Sequence, residues 1–496
     1  MTSTKWNIPG SNPLPIFGNR ASVVKLVKDS IGYTDQLFKT YGNVVSLSAG
    51  GGTNIYSPLL NCPGTVFTYG PESMRQAISQ LDVYSKYPLS GTLYRKRNDS
   101  PRTEPLKHFL VGLFGVNGQT HRQHRKLLMP AFHKQRIDTY RDDMVAISQL
   151  LLEKLPVDQP TDIAQVMRML TLRITAKTLL GSDLGEGDGK KDDVLQVTDT
   201  LQKALALQNN PLLRLFPVDL PGLPFQRYLN LIAKLDEKIR TIIRTKQASG
   251  VNDSDVLSML IESQDADSGL TLTEDELLGH TSAIFSAAHG TSANALTWTL
   301  FLLSQHPNIN ADLVDELQSV LQGEAPTIEQ LHQLPLLERV IKESMRILPS
   351  VPWNLRVTSQ LTQLENYELP IGTEVFVSIY KTHRMPEIYL QPEKFNPQRW
   401  ENFEPTIFEY NPFSAGTRLC IGAGFAMMEI KIILAMLLQE YRLEFSSRYP
   451  IARSSGIPVL YPKYGMQMLV RQQDRQFTQG VGGVQGNVRQ MVDLPT

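Results

Sequence analysis

The run Phe413-Ser-Ala-Gly416-Thr-Arg418-Leu-Cys420-Ile-Gly422 sets one cysteine between two glycines, with an arginine two residues before it. The residues that follow, Ala423-Gly-Phe-Ala-Met-Met-Glu429-Ile-Lys, read as a helix that continues apolar to Tyr441. The cysteine therefore stands at the mouth of that helix. Unpaired backbone N–H groups and the positive end of the helix dipole both favour its thiolate. The glycines let the backbone approach a large flat ligand closely. A thiolate in this setting suits a haem iron, where it pushes electron density toward O–O cleavage. With no ligand to meet, it would be an inert thiol buried before a helix.

Three other clusters carry chemistry-bearing residues at helical spacing. Glu343 and Arg346, three apart, share a face within the apolar run Leu336–Pro349, so they form a buried pair that needs further partners. His121 and Arg125, four apart, share a face in Gly118-Gln-Thr-His-Arg-Gln-His-Arg. Taken alone they describe a solvated basic helix, with His124 facing outward. A long helix is predicted over residues 273–305; it opens with a capping box, Thr273-Glu-Asp-Glu276, and stops before Pro307. Its middle, Phe285-Ser-Ala287-Ala288-His289-Gly290-Thr291-Ser292, is built of small residues. By itself such a stretch could be a close helix crossing. Gly290 weakens the helix by about 1 kcal/mol relative to alanine.

These elements lie in a chain of 496 residues that is mostly helical in pattern, with short extended pieces near both ends. Lysine plus arginine equals aspartate plus glutamate at 49 each, so charge gives no argument for nucleic acid. Two cysteines, Cys62 and Cys420, argue against a disulfide framework and fit a reducing compartment. The N-terminal segment turns Pro/Gly-rich at once and has no apolar run for a signal peptide or membrane span. The last stretch, 476–496, is Gly/Gln-rich with little apolar pattern and is expected to be disordered.

The Phe413–Gly422 run is similar, position for position, to the haem-binding signature of the cytochrome P450 family, and the resemblance extends from about Ile8 to Gln472. It implies haem b, with Cys420 as the axial ligand and Phe413 and Gly422 against the cofactor. It implies that His121, Arg125, Arg356 and Arg418 hold the haem propionates. Pro397-Gln-Arg399-Trp400 resembles the element whose arginine completes a buried cluster with Glu343 and Arg346, although Gln398 and Trp400 depart from the commonest letters. The small-residue stretch resembles the family's oxygen-binding turn. There Thr291 would bond back toward the Ala287 carbonyl, open the helix and position water, with Ser292 beside it. Gly290 stands where the family commonly has an acid, and Ala288 where it has a glycine, which puts the proton relay in question.

The implied fold is mainly α with a minor β region, a triangular helical prism enclosing haem, in one catalytic domain over 1–475. The implied reaction is monooxygenation of a lipophilic small molecule, a fatty acid, terpenoid or similar compound, by dioxygen. Electrons would come from a separate ferredoxin or flavodoxin and its NAD(P)H reductase, and Arg122, Lys126, Lys134 and Arg136 could form a docking patch. By the same resemblance Tyr94, Phe114, Phe285, Ala288, Trp353, Leu355 and Tyr464 line the pocket. The expected protein is a monomer without a transmembrane anchor, cytoplasmic, with no nucleic-acid partner. Two other readings remain open: a donor-independent peroxygenase or isomerase, prompted by Gly290, and a non-enzymatic haem sensor.

Overall fold

The computed structural model describes residues 6–15, 18–88, 100–182, 191–208, 210, 213, 217–249, 255–266, 268–446 and 449–495. Its backbone is mainly helical with three small sheets. The chain divides into two compact units, each assembled from separate stretches of sequence.

The first unit holds residues 1–131, 175–287 and 354–377. Its five-stranded sheet has the order Val44–Ser46, Thr65–Thr68, Glu374–Ser378, Trp353–Thr358, Tyr84–Ser85. Thr65–Thr68 runs parallel to Glu374–Val377 with Phe67 opposite Phe376, and their rings lie 4.8 Å apart. Every residue of these two paired strands is buried, which is why neither alternates apolar and polar letters along its length. The helices Lys191–Gln208 and Pro224–Ser249 pack on each other, and Ala204, Phe225, Tyr228, Leu229 and Ile232 form a core cluster there with Leu106 and Leu213.

The second unit holds residues 132–174, 288–353 and 378–496. Its helix Pro335–Ile347 begins with proline, whose missing N–H costs nothing at that position. The next free N–H groups, of Leu336 and Leu337, donate to the Glu316 carboxylate at 2.8 and 2.9 Å. The helix Ala423–Glu440 is buried almost throughout and passes directly into the strand Tyr441–Phe445. The helix Glu274–Ser304 contributes its first half to one unit and its second half to the other. Its capping box forms as the sequence predicts, with Thr273 N–H on Glu276 Oε2 at 2.9 Å and Glu276 N–H on Thr273 Oγ1 at 3.3 Å.

The tail departs from expectation. Residues 476–495 are not disordered but packed on the second unit. Phe477, Val484, Val488, Met491, Val492 and Leu494 are buried, and a short 3₁₀ turn covers Asn487–Gln490. Ile451 N–H donates to the Gln485 carbonyl at 2.8 Å, and the buried Arg384 guanidinium donates to the Met491 carbonyl at 2.7 Å. Gly486, at φ 99°, runs so close that a Cβ would lie 2.4 Å from the Ile451 carbonyl oxygen. Scattered single apolar residues and backbone pairing hold this tail, and neither leaves a periodic pattern in the sequence.

Candidate active site

Cys420 stands three residues before the first residue of the helix Ala423–Glu440, on the exposed surface of its segment. Its N–H donates to the Phe413 carbonyl at 2.9 Å, closing the loop on itself. That loop turns through Ser414 at φ 63° and Gly416 at φ 64°, the left-handed region that a glycine enters without strain. Arg418 is buried within it. A Cβ at Gly422 would touch Phe132 at 4.0 Å, so the protein's own packing does not demand glycine there. The other cysteine, Cys62, is half-buried with its thiol on the Thr53 carbonyl at 3.3 Å.

The second half of the long helix belongs to the same unit. The helix is continuous through Ala287–Thr291. Two side chains from elsewhere bind its carbonyls: Thr171 Oγ1 donates to His289 O, and Ser350 Oγ to Thr291 O, each at 2.9 Å. A Cβ built on Gly290 would meet nothing within 4 Å, which leaves room for the acid that this position lacks. Ser292 is buried and faces Glu429, a fully buried carboxyl on the Cys420 helix. Burial pushes Glu429 up to about 8, against a smaller downward pull from the Ser292 hydroxyl. Neither carboxyl oxygen makes a hydrogen bond of ordinary geometry. Burial thus favours the neutral acid form of Glu429, which faces Ser292, the residue after Thr291. Its signal in the sequence is a charged letter in the middle of an apolar helix.

In the first unit, His121 and Arg125 lie on the helix Gly118–Leu128, His121 buried and Arg125 half-buried. Arg356 is fully buried, and burial pushes its guanidinium down to about 10. Its Nη1 donates to the Leu355 carbonyl at 2.8 Å, but its Nε and Nη2 are buried with no acceptor among the described residues. A guanidinium so placed requires an anion with oxygen acceptors. The propionate carboxylates of haem are of that chemistry, so the residues present fit the cofactor.

His124 does not face outward. It is buried, with Nε2 3.2 Å from Glu276 Oε1 and Nδ1 3.0 Å from His280 Nε2. His121, His124 and Leu128 recur at spacings of three and four, so the face that buries Leu128 also buries both histidines. Three members of the basic patch have neighbours. Arg122 pairs with Asp82 at 3.4 Å and Lys126 with Asp265 at 2.8 Å, while Arg136 lies over the Tyr140 ring at 5.4 Å.

Of the pocket candidates, Phe285 and Trp353 are buried, and Ala288 and Leu355 half-buried. Phe114 is partly exposed, with the Lys86 ammonium 5.0 Å from its ring centre. Tyr464 is 61% exposed, its ring beneath the Lys463 ammonium. Tyr94 lies outside the described residues.

The Glu343 cluster is complete. Arg346 Nε and Nη2 donate to the two Glu343 oxygens at 2.9 Å each, and Arg399 Nε donates to Oε1 at 2.9 Å. Asn396 N–H and Trp400 Nε1 add donors at 3.0 Å. The unusual letter Trp400 thus supplies a hydrogen bond that a phenylalanine could not. Arg346 Nη1 also reaches the His383 carbonyl at 2.8 Å. The His383 ring stacks on Tyr410 and accepts the Asn411 N–H at 3.1 Å.

Two buried histidines give a pH prediction. Burial pushes both His280 and His383 down to about 3, so both are neutral in the folded protein. The unfolded chain binds those protons below about 6.5. Stability from this source is complete above about pH 6.5 and falls as pH drops toward 3, by about 1.4 kcal/mol per pH unit per histidine. Urea midpoints of the haem-loaded protein should fall between pH 7 and pH 5. His280→Gln should flatten the slope; an unchanged slope contradicts this origin.

The Cytochrome P450 family model matches residues 8–469. The chain belongs to the cytochrome P450 family. Cyclooctatin synthase of Streptomyces melanosporofaciens is 32% identical over 379 residues, which are 75% of this chain and 79% of that protein. Putative cytochrome P450 136 of Mycobacterium tuberculosis is 27% identical over 473 residues, 94% of this chain and 88% of that one. Among solved structures, a retinoic acid-bound cyanobacterial CYP120A1 superposes with a TM-score of 0.78 at 23% identity, over 95% of this chain and 100% of the other. The haem domain of cytochrome P450DA gives the same TM-score at 22% identity, over 95% and 98%. This cytochrome P450 is thus a haem-thiolate monooxygenase with haem b as cofactor, of mainly α fold with a minor β part. Among its described residues no helix is long and apolar enough to cross a membrane.

Proposed function

We propose that this cytochrome P450 inserts one oxygen atom of dioxygen into a lipophilic small molecule, with Cys420 as the iron ligand and His121, Arg125, Arg356 and Arg418 on the propionates. The observation that carries the haem reading is the buried Arg356 guanidinium, whose Nε and Nη2 have no acceptor among the described residues. Held by a thiolate, haem iron activates dioxygen for insertion into a C–H bond. Support for the substrate class comes from relatives. One is named cyclooctat-9-en-7-ol 5-monooxygenase, another cytokinin hydroxylase, and a structural neighbour holds retinoic acid. Buried Phe285 and Trp353 would present apolar surface to such a molecule. Electrons come from a separate ferredoxin- or flavodoxin-type donor with its NAD(P)H reductase, and the enzyme works as a cytoplasmic monomer. The two-cysteine composition supports a reducing compartment. The single family match from 8 to 469 supports one catalytic domain, extended by the packed tail.

The chain's own residues must supply protons. Thr291 and Ser292 carry hydroxyls that both donate and accept, and Gly290 contributes no acid. Glu429, whose burial favours its protonated form and which faces Ser292, is the acid that this unit offers in its place. Thr291→Ala should lower coupling of electrons to product at least tenfold, with the balance released as peroxide. General acid–base steps contribute about 10²–10⁴-fold. Glu429→Gln should also lower coupling, and Gly290→Asp should raise it in both backgrounds. Coupling that ignores all three changes contradicts this proton supply.

Gly290 also favours a second reading, a peroxide-driven enzyme that needs no donor. Spectral titration against a lipophilic library, followed by turnover with surrogate donor proteins and then with peroxide, separates the two. Faster turnover with peroxide than with any donor overturns the proposed dependence on a separate electron donor. Failure of every lipophilic compound to perturb the spectrum overturns the substrate class.

A further inference from the structure

Arg356 is held from behind by residues that the sequence does not connect to it. The Tyr56 hydroxyl donates to the Arg356 backbone carbonyl, and both residues are fully buried. Tyr56 is fixed in turn by Glu374, a fully buried carboxylate on the strand Glu374–Ser378. Glu374 gathers the backbone N–H groups of Ile55 at 2.8 Å, Tyr56 at 2.5 Å and Ser57 at 2.6 Å, and the Thr65 hydroxyl at 2.6 Å. Edge-on contact of the Tyr56 ring with Phe376, centroids 5.2 Å apart, sets the ring's direction.

Two features of this arrangement matter. The first is that the Glu374 carboxyl is satisfied by three backbone N–H groups and one hydroxyl, and no ion pair joins it to Arg356. The second is that Tyr56 holds the arginine through its carbonyl, which takes no part in binding an anion, while of the guanidinium Nη1 is engaged, on the Leu355 carbonyl. Its Nε and Nη2 are left without an acceptor while its backbone is locked. A structural arginine would show the reverse.

We propose that Glu374 and Tyr56 are positioning residues for Arg356: together they fix its backbone so that its guanidinium is directed to a haem propionate. This rests on the haem-binding role given to Arg356 above, and goes beyond it by naming what makes Arg356 competent. Groups that orient a ligand's holder typically change affinity about 10–100-fold when removed.

The test is a double-mutant cycle read as the rate at which the haem-loaded protein loses haem to excess apomyoglobin, with no turnover involved. Arg356→Leu should speed loss by at least tenfold, and Tyr56→Phe by about tenfold. The double variant should lose haem no faster than Arg356→Leu alone, because Tyr56 acts through Arg356. A purely structural Tyr56 would instead make the two effects multiply, and that overturns the proposal. If Arg356→Leu leaves the rate unchanged, the propionate role of Arg356 fails, and the positioning role with it. If Arg356→Leu speeds loss but Tyr56→Phe does not, the positioning role fails and the propionate role stands. Should Tyr56→Phe not fold, Thr65→Val, which removes one donor from Glu374, takes its place in the same cycle with the same criteria.

Discussion

Glu343→Ala should unfold this protein or leave it barely folded. The substitution strips the anion from Arg346, which is fully buried, and from Arg399, which is nearly so. It also leaves Trp400 Nε1 and Asn396 N–H without their acceptor. Breaking a buried ion pair by deleting one partner costs about 3–5 kcal/mol, because the remaining charge stays buried and uncompensated. Two arginines share this carboxylate, so the upper end applies. A typical domain has about 5–15 kcal/mol in all. Glu343→Gln keeps an oxygen acceptor and the shape, and should lose less. Urea unfolding of both variants beside wild type checks the order. A Glu343→Ala protein within about 1 kcal/mol of wild type would show that the cluster is not a support of the second unit.

Local pattern made some features legible in the sequence and left others hidden. Cys420 was legible because its loop and helix start lie within ten consecutive residues. The Thr273–Glu276 box was legible for the same reason, and Glu343 and Arg346 share one helical turn. Arg399 and Trp400 reached that cluster only through a resemblance, and the donor role of Trp400 came only from the structure. His124 was misread because its helix was judged by its charged letters, when Leu128 marked the buried face. The tail was misread because its apolar residues are isolated and its backbone pairs with Ile451 and Arg384, far away in sequence. Glu429 and the Glu374–Tyr56 support were invisible for a related reason. Glu374 meets residues more than 300 positions away, and no periodicity records such a contact. Buried polar groups that lack or share partners are set by packing between distant segments, so they emerge only when the fold is in hand.

The second large effect belongs to Cys420. Cys420→Ala should remove the thiolate and with it monooxygenase activity, while Cys62→Ala should change neither, since that thiol lies on a loop carbonyl. The propionate contacts proposed for Arg356 do not depend on the thiolate, so haem content alone is a poor readout. The ligand itself is best read by the carbon-monoxide difference spectrum of the reduced haem-loaded protein. Wild type and Cys62→Ala should both give the red-shifted Soret band of thiolate ligation. Cys420→Ala, loaded with haem, should lack it. A red-shifted band that survives in Cys420→Ala, or is absent from wild type, would contradict the assignment on which the account rests.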